Sequence, residues 1–288
     1  MKNSSILYKP CIAIPEIPAI GKVLVEPKFD GMFTSIRKVN DQIEVWSRRG
    51  ERKATLEQIL ANSLDKFPSD IYLLGEAEYG SQAGRIATER RGYPVIHCFD
   101  MVQGVDDKED VVKRKLRLIK FLKSLEDKHL VIVEDKIIQV KKVPEIFKQY
   151  IKQGFEGIVV KELDKDFKSE NWWKQKKILT DEFIIIGYEF TNEPPYIPKG
   201  FVVPKNGLVK NIVCGLWKGN KLEEVMRVGI TRFDVKLELT RNPKKHLGKV
   251  VEIKGFERFQ SGALRHASFV RFRNDLSARD LRKNVEKS

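Results

Sequence analysis

The sequence Lys-Phe-Asp-Gly at residues 28–31 combines residue types suited to covalent catalysis by an amine. Lys28 supplies a nucleophile, and Asp30, two residues later, supplies a charge that can adjust the pKa of the amine and orient it. Gly31 allows a tight turn and a close approach of the backbone to a ligand. A lysine, an acid and a glycine at this spacing also occur by chance on protein surfaces, so the interpretation depends on the motifs that follow.

Five further groups of chemically capable residues follow in chain order. The first carries two guanidinium groups, the second is a Gly-Glu pair after an apolar stretch, and the third places an aromatic residue before an acid. The fourth combines an acid, a glycine and a lysine. The fifth has two lysines two residues apart, which places both on one face of a strand. In that order they occupy residues 47–50, 75–76, 97–100, 155–161 and 173–176.

Strands and helices must position these groups in the first part of the chain. Alternating apolar residues predict strands, and apolar residues at helical spacing predict helices. An Asn-Asp pair at 40–41 predicts a hairpin turn between two strands. The predicted strands are 22–25, 33–39, 43–47, 71–74, 95–101, 131–140 and 157–161, and the predicted helices are 55–67, 111–125 (with a basic face) and 143–153.

Short strands dominate from residue 181 onward. A Lys-Gly-Asn-Lys sequence at 218–221 predicts a hairpin turn, and a proline-rich stretch at 191–206 predicts a long loop. Five short strands with one helix fit a small five-stranded barrel of the OB type. The predicted strands are 183–188, 209–217, 223–228, 249–256 and 269–272, and the predicted helix is 232–240.

Composition limits the function classes. The 288 residues, 41% of them hydrophobic, are enough for two folded domains with cores of their own. No apolar run is long enough to cross a bilayer, and residues 1–20 lack the apolar core of a signal peptide, so we expect a cytoplasmic protein. Three widely spaced cysteines without CxxC spacing are expected to be free thiols, and no zinc site is expected. The net charge of +14 favours a nucleic acid partner over a membrane surface.

The order of the motifs resembles that of the covalent nucleotidyltransferases, and most closely that of the ATP-dependent DNA ligases. The Trp-Trp-Lys sequence at 172–174 and the arginine-rich stretch at 264–275 are similar to those of the small bacteriophage or bacterial type. The resemblance implies an α+β chain. Residues 1–180 would form a nucleotidyltransferase (adenylation) domain with ATP-grasp-like antiparallel sheets and helices, and residues 181–288 would form a five-stranded OB-fold β-barrel.

The resemblance implies a catalytic role for four residues. Lys28 would attack the α-phosphate of ATP to give a lysyl-AMP phosphoramidate and pyrophosphate. The attacking amine must be neutral, and we expect nearby Lys174 and Lys176, with bound magnesium, to favour the neutral form. The same cations would stabilise charge that develops on the phosphate. Asp30 would help to orient the site.

Binding residues follow from the same resemblance. Glu76 would accept hydrogen bonds from the ribose, Phe99 would stack on adenine, and Arg48 would contact the ribose or the DNA end. Magnesium or manganese would be held by Glu156 and Glu76, because these ions take oxygen ligands. The expected nucleotide-binding residues are Glu26, Arg48, Glu76, Phe99, Lys161, Lys174, Lys176 and Arg273, and the expected DNA-binding residues are Arg48, Arg49, Arg265, Arg271 and Arg273.

Two positions depart from the family motifs. Phe33 stands where members usually carry an arginine, and the nearest arginine, Arg37, lies four residues further along the same strand. Leu276 stands where the last motif often has a lysine, so a lysine role in orienting pyrophosphate cannot be assigned. Arg271 or Arg273 could serve instead, and we prefer Arg273.

Simpler interpretations remain open for several residues. Glu76 could be a surface glutamate, and Phe99 could be a core residue. Arg48 and Arg49 are adjacent and would point opposite ways on a strand, so one of them would be a solvated charge. Lys161 could bind a ligand or serve only in packing.

The resulting hypothesis is an ATP-dependent, monomeric DNA ligase that seals nicks in double-stranded DNA. We expect the proline-rich loop to contact DNA near the nick. RNA ligases and GTP-dependent capping enzymes share the first five motifs and remain alternatives. A non-catalytic nucleic-acid-binding protein of the OB type is the alternative from another class.

Overall fold

The computed structural model describes residues 7–13, 17, 21–78, 93–104, 106–193 and 197–285, apart from the side chains of 64 and 283–285. The chain divides into two compact units, Met1–Lys176 and Lys177–Ser288. Part of the predicted proline-rich loop, residues 194–196, lies outside the described residues. No helix in the described part of the chain is long and apolar enough to cross a membrane.

The first unit contains two five-stranded sheets with helices. In chain order its described strands are β1 (Ile12–Ala13), β2 (Lys22–Lys28), β3 (Met32–Val39), β4 (Gln42–Ser47), β5 (Tyr72–Glu78), β6 (Val95–Val102), β7 (Leu130–Ile132), β8 (Lys136–Gln139), β9 (Gly157–Glu162) and β10 (Trp172–Lys176), and its described α-helices are α1 (Ala54–Leu60), α2 (Val111–Leu125) and α3 (Val143–Lys152). The sheet orders are β1-β10-β9-β2-β8 and β4-β3-β5-β6-β7.

Each sheet has its own hydrophobic core. In the first sheet, the inward residues of β2 and β9, such as Val25 and Val160, pack against Tyr150 of α3. In the second sheet, apolar residues of the strands pack against Leu118 and Phe121 of α2. Residues of both sheets then meet in a mixed cluster of Leu7, Leu74, Val102, Phe167 and Trp172, with the half-buried Phe33 and Phe99 packed against it. The two sheets are therefore joined through an aromatic layer.

The turn at 40–41 confirms one hairpin prediction. Asn40 and Asp41 have φ values of 45° and 54°, and β3 and β4 pair on either side of them. Two consecutive positive φ angles are typical of a type I′ turn, whose twist matches that of the flanking strands.

Other predicted elements differ from the structure. The single strand predicted at 131–140 is two strands, because β7 pairs with β6 in one sheet and β8 pairs with β2 in the other. The helix predicted at 55–67 is α-helical only to Leu60 and continues as a 3₁₀ helix over Ala61–Lys66. Helical apolar spacing continues through Leu64 and Phe67, so the pattern does not reveal the change of helix type, whereas the charged residues Glu134, Asp135 and Lys136 interrupt the apolar residues where the predicted strand divides.

The basic face predicted for helix α2 is partly buried. The side chain of Arg114 has an exposed fraction of 0%. Its Nε lies 3.0 Å from Oδ1 of Asp100, and its Nη2 lies 2.6 Å from Oε1 of Glu170. The two carboxylates compensate the positive charge of the buried guanidinium. If both are ionised, however, this group of three side chains has a net charge of −1.

The second unit is built on one five-stranded sheet of order β13-β12-β11-β14-β15. Its strands all correspond to predicted ones, and the turn at Gly219 and Asn220 joins β12 to β13 as predicted. The helix at the C-terminal end was not predicted. The described elements are β11 (Leu179–Thr191), β12 (Leu208–Lys218), β13 (Lys221–Gly229), α4 (Phe233–Arg241), α5 (Pro243–His246), β14 (Val250–Gly255), β15 (Ser268–Phe272) and α6 (Ala278–Val285).

The two edge strands of this sheet, β13 and β15, are not paired with each other in the described residues. The structure thus supports a mixed α+β chain with a five-stranded second unit, without closing that sheet into a barrel. Its core comprises residues of β11, β12 and β14, among them Phe183, Ile212 and Ile253, together with Leu239 of α4.

Burial raises the pKa of Glu170 to about 7, although Arg114 opposes this and Asp100 adds to it. In the unfolded chain a glutamate ionises near its usual pKa of about 4.5, so the folded state loses stability as pH rises from about 4.5 to about 7. The neutral variant Glu170→Gln lacks this loss. We expect the unfolding free energy of this variant relative to the wild type to increase between pH 5 and pH 8 by at most about 3 kcal/mol, as thermal unfolding at each pH measures. A difference that stays constant or shrinks over this range would contradict the assignment.

Candidate functional site

A cavity of about 460 Å³ lies in the first unit, between its two sheets. Its walls include Lys28 of β2, Lys174 and Lys176 of β10, Glu76 of β5 and Phe99 of β6. This volume is in the range of small-molecule sites. The structure therefore brings residues from four of the predicted motifs together around one space.

The register of three strands places Lys28 next to Glu156. Lys28 and Lys176 are both register partners of Gly157, from opposite sides of β9. The Lys28 ammonium lies 2.5 Å from Oε2 of Glu156, and Lys176 forms an ion pair with Oε1 of the same carboxylate. One carboxylate thus holds two of the predicted catalytic lysines.

Gly157 is required by the closeness of strands β9 and β10. A Cβ atom at this position would lie 2.1 Å from the carbonyl oxygen of Gln175 and 2.9 Å from the Cα of Lys176. Any side chain would push β10 away and disturb the register that places Lys176 beside Glu156.

The carboxylates beside Lys28 affect the pKa of its amine. Burial lowers the pKa, but the carboxylates of Glu156 and Glu76 outweigh burial and raise it above the ordinary value. The neighbouring carboxylates therefore favour the ammonium form, because Glu156 touches Lys28 directly. The neutral form that we expect with Lys174, Lys176 and bound magnesium remains a prediction for the loaded site.

Glu76 lies inside strand β5, not after a strand as the apolar stretch 71–74 suggested. The backbone at Gly31 passes close to Glu76 and Ala77 of β5. Glycine allows this close approach, because a Cβ at position 31 would lie 2.6 Å from the carbonyl oxygen of Ala77 and 2.9 Å from Cγ of Glu76. Burial raises the pKa of Glu76 to about 7, with Lys28 opposing, and with Glu156 and Asp30 contributing to the rise. Asp30 is therefore an electrostatic neighbour of the cavity.

Aromatic side chains form one end of the cavity. Phe99 lines it and also packs in the mixed cluster, so it is both a wall and a core residue. Its ring centroid lies 5.8 Å from that of Trp172 and 6.3 Å from that of Phe33. The half-buried Phe99 is available to a ligand in the cavity from one side only.

Lys161 and Glu26 form a buried ion pair at the same end. Lys161 has an exposed fraction of 0%, its ammonium lies 2.8 Å from Oε2 of Glu26, and it donates a hydrogen bond of 3.2 Å to the carbonyl oxygen of Phe99. The ammonium also lies 4.3 Å from the ring centroid of Trp172. Burial lowers the pKa of Lys161, but Glu26 and Asp100 outweigh it and raise the pKa, so the group is charged.

Arg48 and Arg49 both line the cavity. Both are exposed, and because β4 ends at Ser47 they lie in a turn, so the argument that neighbouring strand residues point opposite ways does not apply to them. Nη1 of Arg48 donates a hydrogen bond of 3.3 Å to the hydroxyl of Tyr8. Arg37 does not stand in for the missing motif arginine, since it pairs with Glu44 at 3.1 Å.

The remaining predicted arginines lie in the second unit, and each is paired there with a carboxylate. Arg271 lies 2.8 Å from Glu252, and Arg265 lies 3.7 Å from Glu257. Arg273 pairs with Glu182 and with Asp275, which raises its pKa.

Several cavity residues were missed from the sequence. Tyr8, Lys9 and Cys11 line the cavity from a segment that carries no motif. Arg114 and Lys115 of α2 were also missed, although they do not line the cavity themselves. For these two residues the sequence did contain a signal of burial. Both fall on the buried stripe of the helix, whose members are Val111, Arg114, Lys115, Leu118, Phe121 and Leu125.

Comparison with known proteins identifies the family. A family model described as an ATP dependent DNA ligase domain matches residues 7–176. The chain belongs to this family. The matched range coincides with the unit that contains the cavity, and it includes Lys28, Glu76, Glu156 and Lys176.

Individual relatives agree with this assignment. A probable DNA ligase of Dictyoglomus thermophilum is 28% identical over an alignment 207 residues long, which covers 60% of this chain and 35% of the relative. A DNA ligase of Methanopyrus kandleri is 26% identical over an alignment 313 residues long, gaps included, which covers 90% of this chain and 54% of the relative. The chain thus spans about a third to half of the length of these curated relatives.

A solved structure from a structure–function study of Lig E DNA ligases shares the fold. It has a TM-score of 0.64 and 15% identity, and the likeness covers 92% of this chain and 100% of the solved one. At this identity the likeness supports the fold of the chain and not the role of any residue.

The close contact at Gly157 generates a stability prediction. We expect Gly157→Ala to lower the free energy of unfolding by about 1–3 kcal/mol or more, because the new Cβ clashes with backbone atoms of β10. The control is Gly229→Ala in β13, where a Cβ would meet its nearest atom, Oδ1 of Asn211, at 3.5 Å. Thermal unfolding of both variants measures the effect. Equal, small shifts would show that β10 accommodates a side chain and that the contact does not fix the register.

Proposed function

We propose that the protein is an ATP-dependent DNA ligase that joins a 5′-phosphate to a 3′-hydroxyl at a nick in duplex DNA. The observation that carries the proposal is the placement of Lys28 in a cavity, against Glu156 and beside Lys174 and Lys176. A buried amine among cations and carboxylates suits attack on a phosphate, and membership of the family supports the choice of ATP.

In the first step, the Lys28 amine attacks the α-phosphorus of ATP. A P–N bond forms, the P–O bond to the β-phosphate breaks, and pyrophosphate leaves. The ammonium must first lose a proton, and Oε2 of Glu156, at 2.5 Å, is the nearest acceptor. Lys174 and Lys176 line the cavity and are placed to stabilise the negative charge that develops on the phosphate.

Two further displacements at phosphorus complete the reaction. A 5′-phosphate oxygen attacks the phosphorus of lysyl-AMP, so that the P–N bond breaks and the Lys28 amine is released. The 3′-hydroxyl then attacks the 5′-phosphorus, AMP leaves, and the strand is closed. Each step depends mainly on positioning and charge.

The aromatic end of the cavity suits the adenine base. Phe99 is exposed there on one side, as a stacking residue requires, and Lys161 and Glu26 are fixed beside it. Glu76, on the opposite sheet from Lys28, is assigned to the ribose hydroxyls, and Arg48 to the ribose or the DNA end.

A divalent cation, magnesium or manganese, fits the residues present. Glu156 places a carboxylate between Lys28 and Lys176, and Glu76 lines the cavity from the facing sheet. The described residues contain no cluster of three or more His, Cys, Asp or Glu side chains that could hold a metal alone. Magnesium needs only one or two carboxylates besides substrate phosphates, so Glu156 and Glu76 suffice. The ion would supply positive charge to the phosphates.

The proposed DNA partner follows from charge. The net charge of +14 suits a polyanion, and Arg49, Arg265 and Arg271 are assigned to the DNA backbone, so affinity should fall steeply with salt.

Arg273 is assigned to the pyrophosphate of ATP. We assign residues 1–180 to adenylation and 181–288 to an OB-type domain, acting as a monomer. The second unit has the five strands that the sequence predicts, and these support the assignment of residues 181–288 to an OB-type domain.

Intact-protein mass spectrometry tests the nucleophile. After incubation with magnesium and ATP, we expect the wild type to gain the mass of AMP, and we expect no gain with GTP. Lys28→Ala should remove the adduct entirely, because the P–N bond forms on the Lys28 amine, whereas Lys176, the other amine paired with Glu156, is assigned to stabilising the charge on the phosphate. The matched control is Lys22→Ala, an exposed lysine at the start of the same strand, which should keep the adduct.

Nicked duplex DNA then tests the sealing reaction. The wild type should convert a labelled nicked strand to the joined length, and Lys28→Ala should not. An adduct with GTP would favour a capping reaction, whereas an AMP adduct without joining of nicked DNA would favour an RNA substrate. The absence of any adduct, after removal of AMP carried over from expression, would contradict the proposal.

A further inference from the structure

Lys115 is a buried cation that no motif includes and that is not among the residues lining the cavity. Its ammonium lies 2.5 Å from Oε1 of Glu26 and 3.6 Å from Oδ1 of Asp135. The exposed fraction of Lys115 is only 4%, so the protein desolvates this charge to make these two contacts.

Glu26 connects Lys115 to the cavity. Its exposed fraction is 2%, and its two oxygens are divided between two lysines, Oε1 facing Lys115 and Oε2 facing Lys161. Lys161 in turn donates to the carbonyl oxygen of Phe99. A continuous polar chain therefore runs from Lys115 to the aromatic wall.

This chain also links the two sheets. Lys115 lies on α2, which packs through Leu118 in the core of the second sheet, whereas Glu26 lies on β2 of the first sheet. The cavity lies between these sheets. The contact between Lys115 and Glu26 therefore fixes the separation of its two walls at the end where Phe99 lies.

Charge balance adds a second effect. Glu26 and Asp135 face Lys115 and Lys161, so two negative charges meet two positive charges. Without Lys115 the set would carry one excess negative charge beside a cavity that binds a polyanionic nucleotide. Lys161 would also be left as the one close cation on Glu26, which would draw its ammonium away from Phe99.

We propose that Lys115 is a positioning residue for the nucleotide, holding Glu26 and, through it, Lys161 and the Phe99 wall in the geometry that binds the base. The inference rests on the proposed function and adds to it a residue on a helix outside every ligase motif. Lys115 acts on nucleotide affinity and not on the transfer step, because it lies behind the base end of the cavity and makes no contact with Lys28.

The test measures lysyl-AMP formation in single turnover at a series of ATP concentrations. In Lys115→Met we expect the half-saturating ATP concentration to rise at least about fivefold, with a maximal rate within about twofold of the wild type. Lys115→Arg restores a cation and should recover most of the affinity. The control is Lys113→Met, which changes a 65% exposed lysine on the same helix and should leave both values unchanged.

A purely structural role gives a different result. Loss of folded protein reduces the fraction that reacts but leaves the half-saturating concentration unchanged, and that outcome would overturn the proposal. If Lys115→Met does not fold, Lys115→Gln keeps one N–H donor for Glu26 and should show a smaller rise. If the wild type forms no adduct, the proposed function fails, while calorimetric binding of ATP to the wild type and to Lys115→Met still decides the role of Lys115.

Discussion

Charges buried between two β-sheets determine the shape of the cavity. Apolar packing joins the two sheets of the first unit in the mixed cluster of Leu74, Val102 and Trp172, and buried ion pairs link the sheets at a second place. The carboxylate of Glu26 does so by accepting Lys161 from its own sheet and Lys115 from the helix of the other. Arg114 of α2 makes a second bridge, because it pairs with Asp100 of β6 and with Glu170, which lies shortly before β10 in the chain. Breaking such a pair by removing one partner leaves a buried charge uncompensated, which costs about 3–5 kcal/mol, so the loss of any one of these side chains would disturb the walls.

The reacting end of the cavity has the opposite requirement. In the proposed mechanism Lys28 must exchange its partner there, because an ammonium paired with Glu156 is not a nucleophile. The structure makes this exchange possible by sharing Glu156 between Lys28 and Lys176, so that neither lysine holds both oxygens. The raised pKa of Glu76, about 7, keeps part of the local negative charge neutral near physiological pH. A rigid base end and an exchangeable phosphate end suit a site that binds one nucleotide and then transfers part of it.

Much of this site could be predicted from residue types and order, since motifs at strand ends must converge when strands pair. Period-two apolar spacing located the strands, and the turn at 40–41 fixed one hairpin. What could not be predicted depends on partners distant in sequence. Nothing local indicates that β7 and β8 join different sheets, or that Arg114 and Lys115 find carboxylates on other elements. The placement of both residues on the apolar stripe of α2 was the available signal, and a basic residue there indicates a buried partner.

Phe33 shows how a departure from the family motif is accommodated. It is the register partner of Glu76 on the neighbouring strand and lines the cavity, so an arginine there would add a cation beside Glu76. Instead its ring packs against Tyr8, at 4.9 Å between centroids. Tyr8 in turn holds Arg48, whose guanidinium lies 5.5 Å from the Tyr8 ring centroid. Position 33 thus contributes an aromatic contact where members of the family usually carry a positive charge, and the same Tyr8 ring also contacts Arg48 of the next motif.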